Sequence, residues 1–321
     1  MGNIDSAAAA SAIRATFPAI HLILVVGVCG VNPKLRDENG GEVLLGDVII
    51  STGLVKAGSG RQYEDGVALR RQTELPPHVD VRAFLQKLQS AKTTDRLRTR
   101  TASYTSTLLE SFNKEGMRPV PTEDKLFPSG YRHKHQNPDI CDVCALCHGN
   151  SDAVCLDASV SSCEELGCDD TLLITRRRLQ DATSKVSGNS DIANAQSPTL
   201  WFGPFASAEF VMKSGHHRDK LARENHVVAF EMEGGGTWEF LPTIIVKGAC
   251  DYADSHKHKA WQQYSATTAA ACAKAMVEEW RTIQPHLAYS PRHMQSNLIT
   301  CYYVRSCSFK PNSLTTTASR C

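Results

Sequence analysis

The stretch that decides the fold is Ala229–Asp254, AFEMEGGGTWEFLPTIIVKGACDYAD. Two carboxylates, Glu231 and Glu233, stand at i and i+2 around Met232, and the glycines Gly234–Gly236 follow. An apolar strand, Thr243–Val246, then runs into Lys247-Gly248-Ala249-Cys250-Asp251. In an open α/β sheet the loops at the carboxyl ends of strands hold the ligand, so a carboxylate just past such a strand is a candidate site residue. Plainer readings stand beside this one. Carboxylates at i, i+2 on a strand end are often solvated, and three glycines can be an ordinary loop. Asp251 could cap the next helix, although the helix expected from Ala260 lies far for a cap.

Working outward from this stretch, strands and helices alternate. Ser6–Thr16 is alanine-rich and stops before Pro18, which reads as a helix. Ile20–Val26, apolar except for His21, reads as a buried parallel strand that feeds a glycine turn at Gly27-Val28-Cys29-Gly30. Glycine there lets the main chain approach a ligand and offer its N–H groups. Leu44–Ser51 is a second strand. His78–Ser90 is an amphipathic helix with Val81, Phe84, Leu85 and Leu88 on one face. Thr199–Phe202 is strand-like, Leu221–Asn225 belongs to a short helix, and Ala260–Trp280 is a long helix that packs on the sheet. The alternation predicts an α/β fold with a mostly parallel central sheet. Residues 113–195 interrupt it: they are rich in Pro, Asn and Asp, hold half of the chain's 12 cysteines, and read as a Cys-rich insertion. Residues 1–282 then form one domain, and 283–321 an irregular or disordered tail.

Composition narrows the function. The 321 residues carry a net charge of +1, which gives no electrostatic footprint for nucleic acid; the run Arg176–Arg178 reads as a solvated patch. No apolar run reaches membrane-spanning length, and the N-terminus has no basic region ahead of an apolar one. Cysteines in such a chain point to reduced thiols or a metal site and to the cytoplasm. Assembly into a homo-oligomer is left open.

Cys141, Cys144 and Cys147 form C-x2-C-x2-C, with Cys155, Cys163 and Cys168 downstream. Cys141, Cys144, Cys147 and Cys155 could make a closed structural zinc site; free thiols are the alternative. No histidine pairs with a cysteine in a way that suggests a nucleophile. His216, His217, His256 and His258 read as solvated surface, while Tyr252 and Trp261 either pack near the site or fill core.

FEMEGGG followed by KGACDYADSHKHKAWQQYSATTAAACAK resembles the C-terminal half of the nucleoside phosphorylase / methylthioadenosine nucleosidase superfamily. Val25–Gly30, Gly46-Asp47-Val48 and Ala206–Lys213 agree with it, and YRHKHQNP and CEELGCDD are similar to the fungal branch, whose members are often fused to signalling domains. The resemblance spans residues 1–280. It implies a three-layer α/β/α phosphorylase fold and a purine nucleoside substrate in nucleoside metabolism, cleaved at its N-glycosidic bond by phosphorolysis or hydrolysis. No cofactor is implied, and phosphate is the co-substrate if the reaction is phosphorolysis.

It also implies roles. Asp251 would protonate or hydrogen-bond a purine ring nitrogen. Glu233 would accept the ribose 2′ and 3′ hydroxyls through charge-assisted bonds. Met232 would touch the sugar, Glu231 would bind substrate or serve structure, the backbone of Val28, Cys29 and Gly30 would meet the ligand, and Val211 and Met212 would stack on the base. Two positions depart from the family pattern: Val31 follows Gly30 where a further glycine is usual, and Ala208 replaces a glycine. The family's first strand, which carries a phosphate-binding glycine or a water-activating glutamate, has no counterpart ahead of Met1–Ala19. A nucleoside-binding or signalling module that has lost catalysis, or a truncated fragment, is therefore the rival expectation.

Overall fold

The structure is a computed structural model that describes residues 2–34, 41–58, 60–63, 66–69, 74–112, 117–184, 197–283 and 300–303. Its centre is a sheet whose strands are buried on both faces, which is why they read as continuous apolar runs. Strand β1 (Ile23–Val31) lies beside β2 (Val48–Lys56) only through β7 (Thr243–Asp251), which separates them. A small hairpin, β3 (Gly60–Tyr63) and β4 (Gly66–Leu69), stands apart from this sheet. β5 (Leu200–Ser207) and β6 (Ala229–Glu231) continue from β2, and β8 (Thr300–Tyr303) flanks β1, giving the order β6-β5-β2-β7-β1-β8.

β6 also pairs with β1, so five strands close on one another. The β1–β7, β1–β8, β2–β5 and β5–β6 pairings are parallel, whereas β2–β7 and β1–β6 are antiparallel. The sheet is thus mixed and closed rather than a mostly parallel open layer. Closure follows from β6, a strand of three residues that meets β5 on one side and the end of β1 on the other.

Helices cover both faces, as the alternation of strands and helices implies. Ile23, Val25, Ile49 and Ile245 point to one face, where α1 (Asn3–Thr16) brings Ala10 and Ile13. Leu24, Val26, Val48, Ile50, Ile244 and Val246 point to the other, against α2 (Val79–Leu88), α3 (Ala91–Ser111) and a long C-terminal helix at Ala260–Ile283. The apolar stripe Val81, Phe84, Leu85 and Leu88 of α2 is buried as its spacing predicts, each side chain contributing about 1.5–3 kcal/mol. His78 caps α2, its Nδ1 accepting the Asp80 N–H at 3.3 Å. α3 is polar in sequence yet buries Thr93, Leu97, Thr101 and Thr105, a four-residue spacing along one face. Its Arg96 donates two 2.6 Å bonds to Glu279 of the long helix, a bidentate pair that fixes the two helices in register. The long helix lies so close to β7 that a Cβ at Gly248 would stand 2.0 Å from the Ser265 carbonyl oxygen.

The segment between α3 and β5 contributes no strand among its described residues. It holds α4 (Asp142–Ala145), α5 (Cys163–Leu166) and α6 (Arg177–Ser184) with short 3-10 turns, around Cys144, Ala158 and Leu166. Numbering the rest in chain order, α7 is Gly215–Asn225, α8 is Gly234–Thr237 and α9 is the long helix Ala260–Ile283. No helix among the described residues is long and apolar enough to cross a membrane.

Several boundaries differ from the sequence reading. The stretch Gly27–Gly30 does not turn; β1 continues through it to Val31 because Gly30 must lie against Asp251 of β7. β2 begins at Val48 and not Leu44, since Gly46, with φ +90°, turns the chain first. β8 falls inside the stretch expected to be irregular; residues 284–299 and 304–321 of that tail lie outside the described residues.

Candidate functional site

The carboxyl ends of β1, β6 and β7 meet at one point. Gly30 pairs with Asp251 on one side and Phe230 on the other. The register of β1 against β7 slips there: Cys29 opposes Ala249, but Gly30 opposes Asp251, leaving Cys250 as an extra residue. Ala249 and Cys250 consequently both enter the same core cluster. Strict alternation would have sent Asp251 to that core face; the bulge turns it away. Bulges recur beside functional sites for this reason.

Asp251 is mostly buried, its side chain 12% exposed. Its Oδ1 accepts the Ala253 N–H at 2.8 Å and lies 2.8 Å from Lys257 Nζ. A Cβ at Gly30 would come within 2.7 Å of the same oxygen and 3.0 Å of the Ala253 Cβ, so only glycine leaves Asp251 where it is. Ala253 itself adopts φ 53°, the left-handed region that costs a non-glycine residue about 1 kcal/mol or more. Asp251 thus stands in an ion pair with Lys257.

Glu231 and Glu233 share one cation. Lys247, on β7 and 1% exposed, places Nζ 2.9 Å from Glu233 Oε2 and 3.9 Å from Glu231 Oε2. Glu231 Oε2 also accepts the N–H groups of Glu233 and Gly234 at 2.9 and 2.8 Å, which caps α8 and favours its structural reading. Burial pushes the Glu231 carboxyl above the usual range, with Lys247 pulling the other way and Glu233 adding to the rise. Burial pulls Lys247 down, and the two glutamates more than reverse it, so its ammonium is held above the ordinary value. Cys29 lies among these charges and feels Lys247, Asp251, Glu231 and Lys257 together; burial pushes its thiol well up, which removes it as a nucleophile. Strand pairing places Glu231 near Asp251, since Gly30 pairs with Asp251 on one side and with Phe230, next to Glu231, on the other.

The other expected positions divide. Met212 packs with Val55, Phe230 and Ala253, beside Gly30. Val211 is 46% exposed. Val28 is partly buried against the core, and Met232 is partly buried between its two glutamates.

Sequence reasoning missed the supports of the Asp251 loop. Tyr252 donates its hydroxyl to Asp124 and receives Arg176 Nη1 at 2.7 Å. The Tyr252 carbonyl accepts Arg218 Nη1 at 2.8 Å. Arg178 reaches the buried Asp47 at 2.5 and 3.2 Å, and Asp47 also accepts the Trp201 indole N–H at 2.8 Å. The Arg176–Arg178 run is therefore not a solvated patch: two of its three guanidiniums answer buried carboxylates and carbonyls contributed from distant parts of the chain. An X-R-R-R-X run beside buried Asp residues carries no periodic signal that would have revealed this.

His256 is a second correction. Expected on the surface, its side chain is 2% exposed. His258 is 52% exposed, and His216 and His217 are exposed as expected. Tyr252 and Trp261 are both buried. A cleft beside the site is lined by Asp251, Lys257, Glu123, His258, Cys163 and His256 among others, so the Cys-rich segment forms part of its wall. Glu233 does not line this cleft.

Of the four cysteines expected to bind zinc, three come together. Cys141, Cys144 and Cys155 offer sulfurs within 4.8 Å of one another. The Cys144–Cys155 separation is 3.7 Å, close to the edge of about 3.8 Å that Zn–S bonds of about 2.3 Å give a tetrahedron. Cys147 is not in that group; it ends the turn after α4, where its carbonyl and that of Cys144 hold Lys134 Nζ.

No protein-family model matches the chain. A nucleotide-binding leucine-rich repeat (NLR)-like protein of Hyaloscypha variabilis is 27% identical over 294 residues, which are 89% of this chain and 24% of that protein. The chain thus spans about a quarter of that relative's length. Among solved structures, the 5′-methylthioadenosine/S-adenosylhomocysteine nucleosidase of Helicobacter pylori is 15% identical, with 87% of this chain and 77% of that one covered and a TM-score of 0.38. Futalosine hydrolase of the same organism is 14% identical over 87% and 76%, with a TM-score of 0.38. The methylthioadenosine/S-adenosylhomocysteine nucleosidase of Colwellia psychrerythraea, solved with adenine, is 11% identical over 87% and 75%, with a TM-score of 0.41.

Proposed function

We propose that this chain is a domain of the nucleoside phosphorylase / methylthioadenosine nucleosidase type that binds a purine nucleoside and cleaves its N-glycosidic bond. The observation that carries the reading is the bulge at Cys250, which turns Asp251 off the core face and onto a cleft while Gly30 makes room for it. Breaking the bond between the anomeric carbon and the base passes through an oxocarbenium-like state, as in O-glycoside cleavage. The electron pair of that bond leaves with the purine, and Asp251, taking up a proton from solvent as the substrate binds, donates it to a ring nitrogen. Oδ1 is engaged by Ala253 and Lys257, whereas Oδ2 receives only the weak Cys250 Sγ–H bond at 3.5 Å and is the oxygen offered to the base. Lys257 holds the carboxylate in place between turnovers. The ribose diol is assigned to Glu233 by the resemblance alone: one of its oxygens is held by Lys247, and it lies outside the cleft that Asp251 lines. Water or phosphate attacks the anomeric carbon.

A second reading is favoured by the similarity to an NLR-like protein four times as long: a domain that binds a nucleoside within a signalling chain without turning it over. One experiment separates them. Release of free base from adenosine, inosine and methylthioadenosine is followed by chromatography with and without phosphate, alongside calorimetric binding. Asp251→Asn is expected to lower kcat by about 10²-fold or more, the scale of lost general-acid catalysis. Unchanged turnover in that variant overturns the role of Asp251. Binding without turnover in the wild type selects the signalling reading, and neither binding nor turnover refutes both.

A further inference from the structure

A second cluster of metal-binding side chains takes up Cys163 and Cys168, the two cysteines that the sequence offers as alternatives to Cys155 in a site with Cys141, Cys144 and Cys147. His133, Cys163 and Cys168 bring one ring nitrogen and two sulfurs within 4.8 Å of one another. The local chain is built to hold them. Ser162 and Glu165 form a reciprocal capping box at the start of α5. Gly167, at φ +70°, ends that single turn and folds Cys168 back, so that its N–H donates to the Cys163 carbonyl at 2.9 Å. Tyr131, two residues before His133, accepts the Asp169 N–H on its hydroxyl at 2.8 Å.

The independent observation is His256. Its ring is enclosed by Phe127 at 4.4 Å, Tyr131 at 5.5 Å and His133 at 5.0 Å between centroids. Both of its ring nitrogens are buried and hydrogen-bonded to nothing in the structure. A buried polar atom left so costs about 1–3 kcal/mol. Its planes cross those of His133 at 84°. Two imidazoles on one tetrahedral zinc, with Zn–N of about 2.0–2.1 Å, have ring centroids about 5 Å apart. His256 also shares the wall of the Asp251 cleft with Cys163.

We propose that His133, Cys163 and Cys168 hold a zinc ion and that His256, outside their 4.8 Å group but with both ring nitrogens unpartnered beside His133, turns in as the fourth ligand, tying the Cys-rich segment to the loop carrying Lys257. Two imidazoles and two thiolates are a donor set suited to zinc. Four protein ligands leave no open position, so the ion orders structure and does no chemistry. His256 precedes Lys257, the partner of Asp251, so the ion would fix the far side of the cleft. The site is distinct from the Cys141, Cys144 and Cys155 group, because the two share no ligand.

The test uses the full chain. Zinc is measured by elemental analysis after purification without added metal, and cobalt(II) is then titrated into chelator-treated protein while its visible spectrum is followed. The Cys163→Ser/Cys168→Ser double variant is expected to hold one zinc fewer per chain than the wild type, whatever the other cluster binds. His256→Ala is expected to keep a tetrahedral cobalt spectrum with a thiolate charge-transfer band, at an affinity reduced about tenfold or more, a loss that ligand and supporting-residue changes typically cause. This second variant keeps both thiols and so remains informative if the double variant fails to fold. Equal zinc content in wild type and double variant, or no cobalt–thiolate band in either protein, overturns the site. Unchanged cobalt affinity in His256→Ala overturns the link to the cleft.

Discussion

Replacing Lys247 with methionine tests the electrostatics on which the glutamate pair rests. Methionine fills similar volume, so the loss is chiefly of charge. At an effective dielectric of about 20, unit charges at the 2.9 and 3.9 Å separations of Lys247 from Glu233 and Glu231 attract by about 6 and about 4 kcal/mol. Not all of this is lost, because the variant no longer buries an ammonium and because a stripped carboxylate can take up a proton. For a carboxyl with an ordinary pKa of about 4.3, protonation costs about 4 kcal/mol at pH 7.5 and about 1.6 kcal/mol at pH 5.5. Lys247→Met is therefore expected to destabilise by about 3–5 kcal/mol at pH 7.5, the usual cost of leaving one partner of a buried pair. The sign with pH follows. In the variant a carboxyl has a folded pKa raised above its unfolded value, so the native state binds the extra proton and gains stability as pH falls. The deficit relative to wild type should shrink by about 2–3 kcal/mol between pH 7.5 and 5.5. Urea unfolding followed by the fluorescence of the four tryptophans measures it at both pH values. A deficit below about 1 kcal/mol, or one that is equal at the two pH values, would refute the shared-cation account.

The remaining predictions concern the ligand and the loop. Glu233→Gln should weaken ribonucleosides by roughly 1–3 kcal/mol and 2′-deoxynucleosides less; equal calorimetric losses for both sugars would contradict the diol assignment. Tyr252→Phe removes the hydroxyl that joins Asp124 to Arg176 and should cost about 1–3 kcal/mol of stability, read in the same urea titration; a neutral result would mean that those two groups pair directly once the hydroxyl is gone.

What could be read in the sequence was what repeats along it or lies close together. The strands β1 and β7 and the helices α2 and α9 were legible because their apolar residues follow one period. Glu233, Asp251 and Gly30 were legible because they sit at strand ends in a recognisable order. α3 was missed because threonine, not leucine, fills its buried stripe, and the hydroxyls of Thr101 and Thr105 turn back onto the carbonyls of Leu97 and Thr101. Closure of the sheet was missed because it depends on three residues of β6, too few for any pattern. Arg176, Arg178 and His256 looked like surface because burial of a charged or polar side chain is decided by partners far away in sequence: Asp47 for Arg178, Val43 and Tyr252 for Arg176, Phe127 and Tyr131 for His256.

The bulge at Cys250 joins these strands of argument. Without it Asp251 would follow Lys247 and Ala249 on a regular two-residue alternation, and its carboxylate would enter the core face already crowded by Glu231, Glu233 and Lys247. A third carboxylate there would face a single cation, which a low-dielectric interior makes expensive. The extra residue instead divides the acids into two groups with one lysine each: Glu231 and Glu233 with Lys247 inside, Asp251 with Lys257 at the cleft. Gly30 admits the displaced carboxylate, Ala253 accepts a left-handed backbone to donate its N–H to it, and Tyr252 anchors the loop in a buried network on Asp124 and Arg176. The separation of an inner pair of carboxylates from an outer one on the cleft is thus a consequence of a single residue inserted into β7.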